Sequence, residues 1–489
     1  MSSSENKAAL KSGVWYIFGN FLLKGIGFLT TPIFSRLMTQ EEIGDFSNLI
    51  TWIGIVSIVV TFDLYSSIAV ARFDFKNSPD EYISSILGLG SFVTVVIFAI
   101  AFPFRKIILN FVGFSEYAFY LAFAYMLFYP AIQIFQAKSQ VEYKYKTSLA
   151  ISLSTALASS LLSLALVFVF SNKLDGRVIG HFIPFIAVGI VVYISYIARN
   201  RIKTKYWKYA LGISTPLIFH LLAGYVLSSS DRVMIHSLIG SREAGLYSVA
   251  YTCAMLVNVL MTSMNSAWVP WSMSQIDKGN VTELKTKAKL FVGLFGFLVF
   301  GVILLGPETL LIMGGKSYSE AVGVIPPVMI CIVFQFIYTL YVNIEQYYKK
   351  QKVIAIGTVI SACTNVLLNW IFIPIYGYIA AAYTTLFSYT VLFLIHFLFV
   401  KKLGKNHIYD GKFNIFFLCT SIFILFFSLF LYTNNILRYL VLCIVAGGLV
   451  IALVKQRNAL LLSLKTKSLA PLMQALDEIK NSRKRGKIQ

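Results

Sequence analysis

The chain has 489 residues, 57% hydrophobic and 13% charged, with 42 Lys and Arg against 21 Asp and Glu for a net charge of +21. That composition lies outside the range of soluble globular domains, which are about one quarter charged. The five cysteines have no CxxC spacing, so neither a disulfide framework nor a Cys-ligated metal centre is indicated, and they are expected to be packing residues within helices.

An all-α integral membrane protein is the reading that remains. A bilayer core takes about 20 apolar residues per helix, so polar, Pro-rich and Gly-rich breaks divide the chain into expected spans. The opening "MSSSENKAALKS" lacks a cationic region followed by a short apolar core and a small-residue cleavage site, so the first span is expected to be retained. In chain order the spans are 12–37, 43–71, 82–104, 117–137, 147–171, 177–198 and 210–237, then 243–273, 286–306, 323–346, 353–374, 377–400, 413–432 and 436–454, about fourteen in all.

The first span carries one small, polar face in which Gly13, Asn20, Lys24, Gly27, Thr31 and Ser35 recur at helical spacing. Asp63 falls within the second. The seventh repeats the pattern with Pro216, His220, Gly224, Ser228 and Asp231, with Arg232 adjacent, and Asn258, Thr262 and Asn265 polarise the eighth. Glu345 ends the tenth in "NIEQYYKKQK" and reads as a solvated carboxylate among lysines. Asn365 and Asn369 mark the eleventh, which Pro374 and Gly377 of "IPIYGY" separate from the twelfth by a tight hairpin. His396, in the twelfth, carries no signal. In the basic tail Leu469, Leu472, Leu476 and Ile479 fall at helical spacing beside cationic residues, which predicts a short helix on the membrane surface.

Positive charge supports the division. With the first terminus placed inside, the inner connections and tail hold 32 of the 42 Lys and Arg and the outer connections 8, leaving Lys24 and Arg232 within spans. Both termini are therefore expected to be cytoplasmic. The excess charge is a topology signal beside an anionic membrane face and does not point to nucleic acid. The longest outer connections, about 105–116 and 307–322, are too short for an exposed catalytic domain, and no His/Asp/Glu cluster or phosphate-binding Gly-rich loop occurs in any loop, so an enzyme is not expected.

"LMTQEEIGDFSNLITW" from Leu37 and "LIGSREAGLYSVAYT" from Leu238 align at an offset of 201 residues: Glu42 with Glu243, Gly44 with Gly245, Phe46 with Tyr247 and Ser47 with Ser248. An even number of spans separates the copies, so the repeat is parallel. This predicts two pseudo-symmetric six-helix lobes around a central cavity, an N-terminal lobe over 1–209 and a C-terminal lobe over 210–402. Two additional spans over 403–455 and a basic cytoplasmic tail over 456–489 follow.

"SGVWYIFGNFLLKGIGFLTTPIFSRLMTQEEIGDFS", "SSDRVMIHSLIGSREAGLYSVAY" and "NVLLNWIFIPIYGYIAAAYTTLFSY" resemble, in order and spacing, segments of the bacterial O-antigen and capsule repeat-unit flippases. These belong to the superfamily that also holds lipid II flippases and MATE exporters. One departure is "IAAAY", where the family has Gly-Ala-Ala after the Pro-x-x-Gly turn. The resemblance implies a multi-pass protein of the bacterial cytoplasmic membrane that moves an undecaprenyl-pyrophosphate-linked oligosaccharide outward by alternating access. Membrane lipids surround it, and a polysaccharide polymerase and glycosyltransferases are candidate partners; no cofactor is implied beyond H+ or Na+ coupling.

A charge at mid-membrane costs roughly 2.5–3.5 kcal/mol on insertion scales, so in-span charges need a watery cavity or a partner. Lys24, Arg232, Asn20, Thr31, Asn258 and Asn265 are the expected substrate contacts, and Asp63 and Asp231 the coupling-ion candidates. A structural alternative pairs Lys24 with Asp63 and Arg232 with Asp231. Two other functions stay open: a cation-coupled drug exporter of the MATE type, which should place carboxylates in its cavity, and a non-transporting scaffold of polysaccharide assembly.

Overall fold

The computed structural model describes residues 3–455, and all regular structure among them is helical. A chain in hydrocarbon must satisfy its backbone internally, which helices do. The first half comprises α1 (Ser3–Leu37), α2 (Gln40–Thr61), α3 (Ile68–Asp74), α4 (Pro79–Ala101), α5 (Arg105–Val112), α6 (Glu116–Val141), α7 (Tyr145–Val169) and α8 (Lys173–Ile197). The second comprises α9 (Lys205–Leu238), α10 (Ser241–Asp277), α11 (Val281–Leu304), α12 (Gly306–Gly314), α13 (Ile325–Tyr347), α14 (Gln351–Tyr376), α15 (Ile379–Lys402), α16 (Gly411–Leu431) and α17 (Asn435–Lys455). The surface helix expected in the tail lies outside the described residues.

Among the described residues twelve helices, α2, α4, α6 to α11 and α13 to α16, are long and apolar enough to cross a membrane. The expected first and last spans fall on α1, 35 residues long, and on α17, whose apolar stretch is Asn435–Gly448. Alternate connections gather at opposite ends. At one end Lys173 Nζ donates to Leu37 O (2.5 Å), Gln40 Nε2 to Ser317 O (2.6 Å) and Tyr378 OH to Glu320 O (3.2 Å). At the other, Lys-rich end Lys203 pairs with Glu81 (2.5 Å) and Lys289 with Asp410 (2.6 Å); there the ammonium and a backbone N–H hold the half-buried Asp410 carboxyl below its ordinary range.

Local chemistry sets most boundaries. Thr39 and Glu42 form a reciprocal capping box at the start of α2, and Gly377 takes φ +76 between α14 and α15, forming the expected hairpin. The second expected span, 43–71, overran. α2 stops at Thr61 because Phe62 and Asp63 turn left-handed (φ 49 and 48), after which a short 3-10 turn leads into α3. The break falls at the polar stretch around Asp63, Ser66 and Ser67, which the expected span had been carried through, and Ser214 Oγ secures it from α9 by donating to Asp63 O (3.2 Å).

Helices approach closely where residues are small, since lipid supplies no hydrophobic drive between spans. A Cβ on Gly180 would lie 2.3 Å from Ser163 Cα of α7, and one on Gly176 would lie 2.5 Å from Leu166 O. The first turns of α9 pack in the N-terminal half, where Tyr206 and Ala210 join Tyr82, Ile86 and Ile134. The rest of α9 packs on α2, α10 and α14. α16 and α17 lie against α11 and α13. Of the cysteines, Cys253 and Cys331 are buried as expected, whereas Cys363, Cys419 and Cys443 are exposed on outward helix faces.

The repeat is visible as symmetry. A Cβ on Gly44 would meet Ser241 O at 1.8 Å and one on Gly245 would meet Gln40 O at 2.0 Å. Gln40 and Ser241 are themselves 201 residues apart, so the two contacts exchange under the repeat. Ser248 Oγ donates to Ser47 Oγ at 2.8 Å, a pair of repeat equivalents meeting on the pseudo-twofold axis. Small residues let α2 and α10 cross in backbone contact here. Nearby, His236 Nε2 lies 2.9 Å from Asp45 Oδ1, and Ser35 Oγ donates to Met313 O (2.5 Å). These contacts close the cavity at the Lys-poor end.

Candidate functional site

Below that seal the halves separate around a cavity in two connected parts. The larger, about 470 Å³, lies between α1, α7, α8 and α10, and the smaller, about 240 Å³, between α2, α9 and α10. Thr31, Phe34, Phe46, Arg177 and Thr252 line both.

Lys24 lines the larger part, where its Nζ donates to Asn258 Oδ1 across the lobe interface at 3.4 Å. The alternative pair with Asp63 does not form. Asp63 sits in the α2–α3 break, where Oδ2 accepts from Ser66 Oγ and Oδ1 is buried without a partner. Arg232 lines the smaller part, its guanidinium 4.4 Å over the Tyr251 ring. Its expected pairing with Asp231 is absent as well, because the adjacent residue points the other way. Asp231 is buried in the C-terminal half and accepts from Tyr247 OH (2.6 Å), Asn369 Nδ2 (2.8 Å) and Thr385 Oγ1 (2.8 Å). Asn365 and Asn369 thus join α9, α14 and α15 as interhelical glue and do not face the cavity.

The other expected contacts divide. Thr31 lines both parts while its Oγ1 donates back to Gly27 O (2.8 Å). Asn20 is exposed on α1 below Lys24, and Asn265 Oδ1 is buried without a partner; neither lines the cavity.

Sequence reasoning missed Arg177, which had been assigned to a connection because the sixth span was begun at 177. α8 starts at Lys173, so Arg177 lies one turn inside, on a face shared with His181 and Phe185. That i, i+4, i+8 spacing was the available signal. The guanidinium is stacked between Phe34 (4.4 Å) and Phe46 (3.9 Å), which fixes its plane while leaving N–H groups free of any carboxylate. Ser159 Oγ donates to His181 O (3.0 Å) and holds the next turn. Among the described residues neither part of the cavity is lined by Asp or Glu, and none of Lys24, Arg177 and Arg232 has a salt-bridge partner. Three cations in a partly dehydrated space favour an anionic group.

Comparison with known proteins agrees with this architecture. A family model described as "Polysaccharide biosynthesis protein" matches residues 9–277, and one described as MatE matches residues 216–371. The capsular polysaccharide biosynthesis protein CapF of Staphylococcus aureus is 22% identical over 410 residues, 79% of this chain and 98% of CapF. The probable low-salt glycan biosynthesis flippase Agl15 of Haloferax volcanii is 22% identical over 402 residues, 79% of this chain and 82% of Agl15. Among solved structures, the lipid II flippase MurJ in an inward closed conformation superposes with a TM-score of 0.66 at 16% identity, over 91% of this chain and 99% of MurJ. The fold is that of MurJ, and the chain belongs to the polysaccharide biosynthesis protein family.

Proposed function

We propose that this protein flips a lipid-linked oligosaccharide, carried on undecaprenyl pyrophosphate, across the bacterial cytoplasmic membrane by alternating access, with both termini cytoplasmic. The observation that carries this is the pairing of three cations that have no carboxylate partner among the described residues with a cavity that no carboxylate lines. Lys24 and Arg177 face the pyrophosphate in the larger part and Arg232 in the smaller. A MATE-type exporter of cationic drugs would need the opposite polarity, and the larger part alone falls within the several-hundred-Å³ range of ligand pockets, which a scaffold would not need. The carbohydrate has free choice of the exposed polar face of α1, including Asn20, while Asn258 positions Lys24. Asp231 and Asp63 remain the coupling-ion candidates, both buried and outside the cavity.

The direct test uses vesicles containing the purified protein and undecaprenyl-pyrophosphate-linked sugar, read by the rate at which an impermeant sugar oxidant reaches the lipid pool. Arg177→Ala should slow that rate at least tenfold, and Arg177→Lys should recover only part of it because a point charge replaces the stacked fork. Rates unaffected by Arg177→Ala, or a protein that moves only cationic dyes, would sink the proposal.

Orientation has its own test. In a background lacking the native cysteines, Ile202→Cys should react with an impermeant thiol reagent only from the cytoplasmic side and Arg242→Cys only from outside. Reversed labelling would invert the direction of transport.

A further inference from the structure

Glu345 and His396 were expected to be a solvated carboxylate and an uninformative histidine. Both are instead 0% exposed, and His396 Nδ1 lies 3.0 and 2.9 Å from the two Glu345 oxygens. Residues 51 apart in sequence on α13 and α15 thus form a hydrogen-bonded dyad inside the C-terminal half. The position is costly for an unbalanced charge: Glu345 lies in the last turn of α13, at the negative end of the helix dipole, and is shielded from water.

The surroundings supply no other neutraliser. Tyr338 stacks on the imidazole at a centroid separation of 5.8 Å. α14 brings only Gly357, whose Cβ position lies 3.2 Å from His396 Nε2, and α9 brings His220, whose Nδ1 is buried and unpartnered. α10 brings Asp277, which accepts from Tyr347 OH (3.1 Å). Near α16, Asp410 is paired with Lys289 (2.6 Å) and Lys405 lies over Tyr348 (4.9 Å). Lys349 and Lys350 lie at the end of the helix, exposed. None of these forms an ion pair with the dyad among the described residues.

His396 Nε2 is itself buried with no partner. With Nδ1–H donated to Glu345, Nε2 holds a bare lone pair and the dyad carries one net negative charge. A proton taken up at Nε2 forms an imidazolium–carboxylate pair and removes that charge, with no other bond changed. Above it, Thr358, Ser361, Asn365 and Asn369 run along α14 as a buried polar seam toward Asp231, and Ser361 Oγ too lacks a partner. We propose that Glu345 and His396 form a proton-binding dyad at the Lys-rich end of the C-terminal half, exchanging one proton with the cytoplasmic side at His396 Nε2. Its use in driving transport rests on the transporter reading; its proton binding does not.

Nitrogen-15 spectra of histidine-labelled protein test this without any glycan, with His396→Gln identifying the His396 signals. In the wild type, the Nε2 signal should pass from that of an unprotonated to that of a protonated nitrogen as the pH is lowered through the window in which the protein stays folded. In Glu345→Gln, where the counter-charge is gone, it should stay unprotonated across that window, and Glu345→Asp should restore the titration. A wild-type His396 signal that does not change with pH, meaning a permanently charged or permanently neutral pair, overturns the proposal even if no variant folds. So does a Glu345→Gln protein whose His396 titrates as in the wild type.

Discussion

Lys24→Ala should reduce glycan flipping at least tenfold at normal protein levels, while Lys24→Arg should keep a substantial part of it. The ammonium stands opposite Asn258 at the lobe interface and has no carboxylate beside it, so its charge is available to a phosphate entering from the open side. A tenfold loss is about 1.4 kcal/mol, and one charge pair at 4 Å is worth roughly 4 kcal/mol at an effective dielectric of about 20, so the expected loss lies between tenfold and a thousandfold. The double variant Lys24→Ala with Asp63→Ala should be no better than the single one. The two groups lie in different environments and share no partner, so their effects should add. Recovery in the double variant, measured as flipping rate in vesicles, would restore the structural ion pair that the geometry does not contain.

A disulfide between Ser47→Cys and Ser248→Cys should arrest transport almost completely, and reduction should restore it. The two hydroxyls lie 2.8 Å apart where α2 and α10 cross, close enough for thiols to bridge with small adjustments. Alternating access requires this crossing to open, because the backbone contacts of Gly44 and Gly245 close the cavity at that end. Flipping measured before and after oxidation, in a background lacking the native cysteines, checks it. An oxidised, cross-linked protein that still flips at the reduced rate would mean that the seal never opens and the substrate takes another route. Gly44→Ala addresses the same contact from the opposite side, since its Cβ would meet a backbone oxygen that cannot rotate away.

How much of the site could be read in advance depended on how local its cause was. Lys24, Thr31 and Arg232 were legible because a polar residue on a helical stripe within an apolar run is a local anomaly, and all three line the cavity. Arg177 was hidden by a boundary placed four residues late. The alternative ion pairs of Lys24 with Asp63 and Arg232 with Asp231 do not form for one reason: adjacency along a helix, or residence in neighbouring spans, says nothing about which way a side chain points. Asp231 and Arg232 are neighbours in sequence yet face opposite sides of α9.

By itself the sequence determined the helical class, the expected spans from Gln40 to Leu431 that coincide with twelve apolar helices, and the parallel repeat. Each of these follows from a one-dimensional pattern: hydrocarbon thickness sets run length, and duplication preserves spacing. Only the tertiary structure decided that Gly44 and Gly245 cross at the repeat axis, that α2 breaks at Phe62, that Asp231 is bound by Asn369 and Thr385, and that Glu345 meets His396. Those outcomes depend on helix rotation and on contacts between residues 51 to 201 positions apart, which no local period encodes.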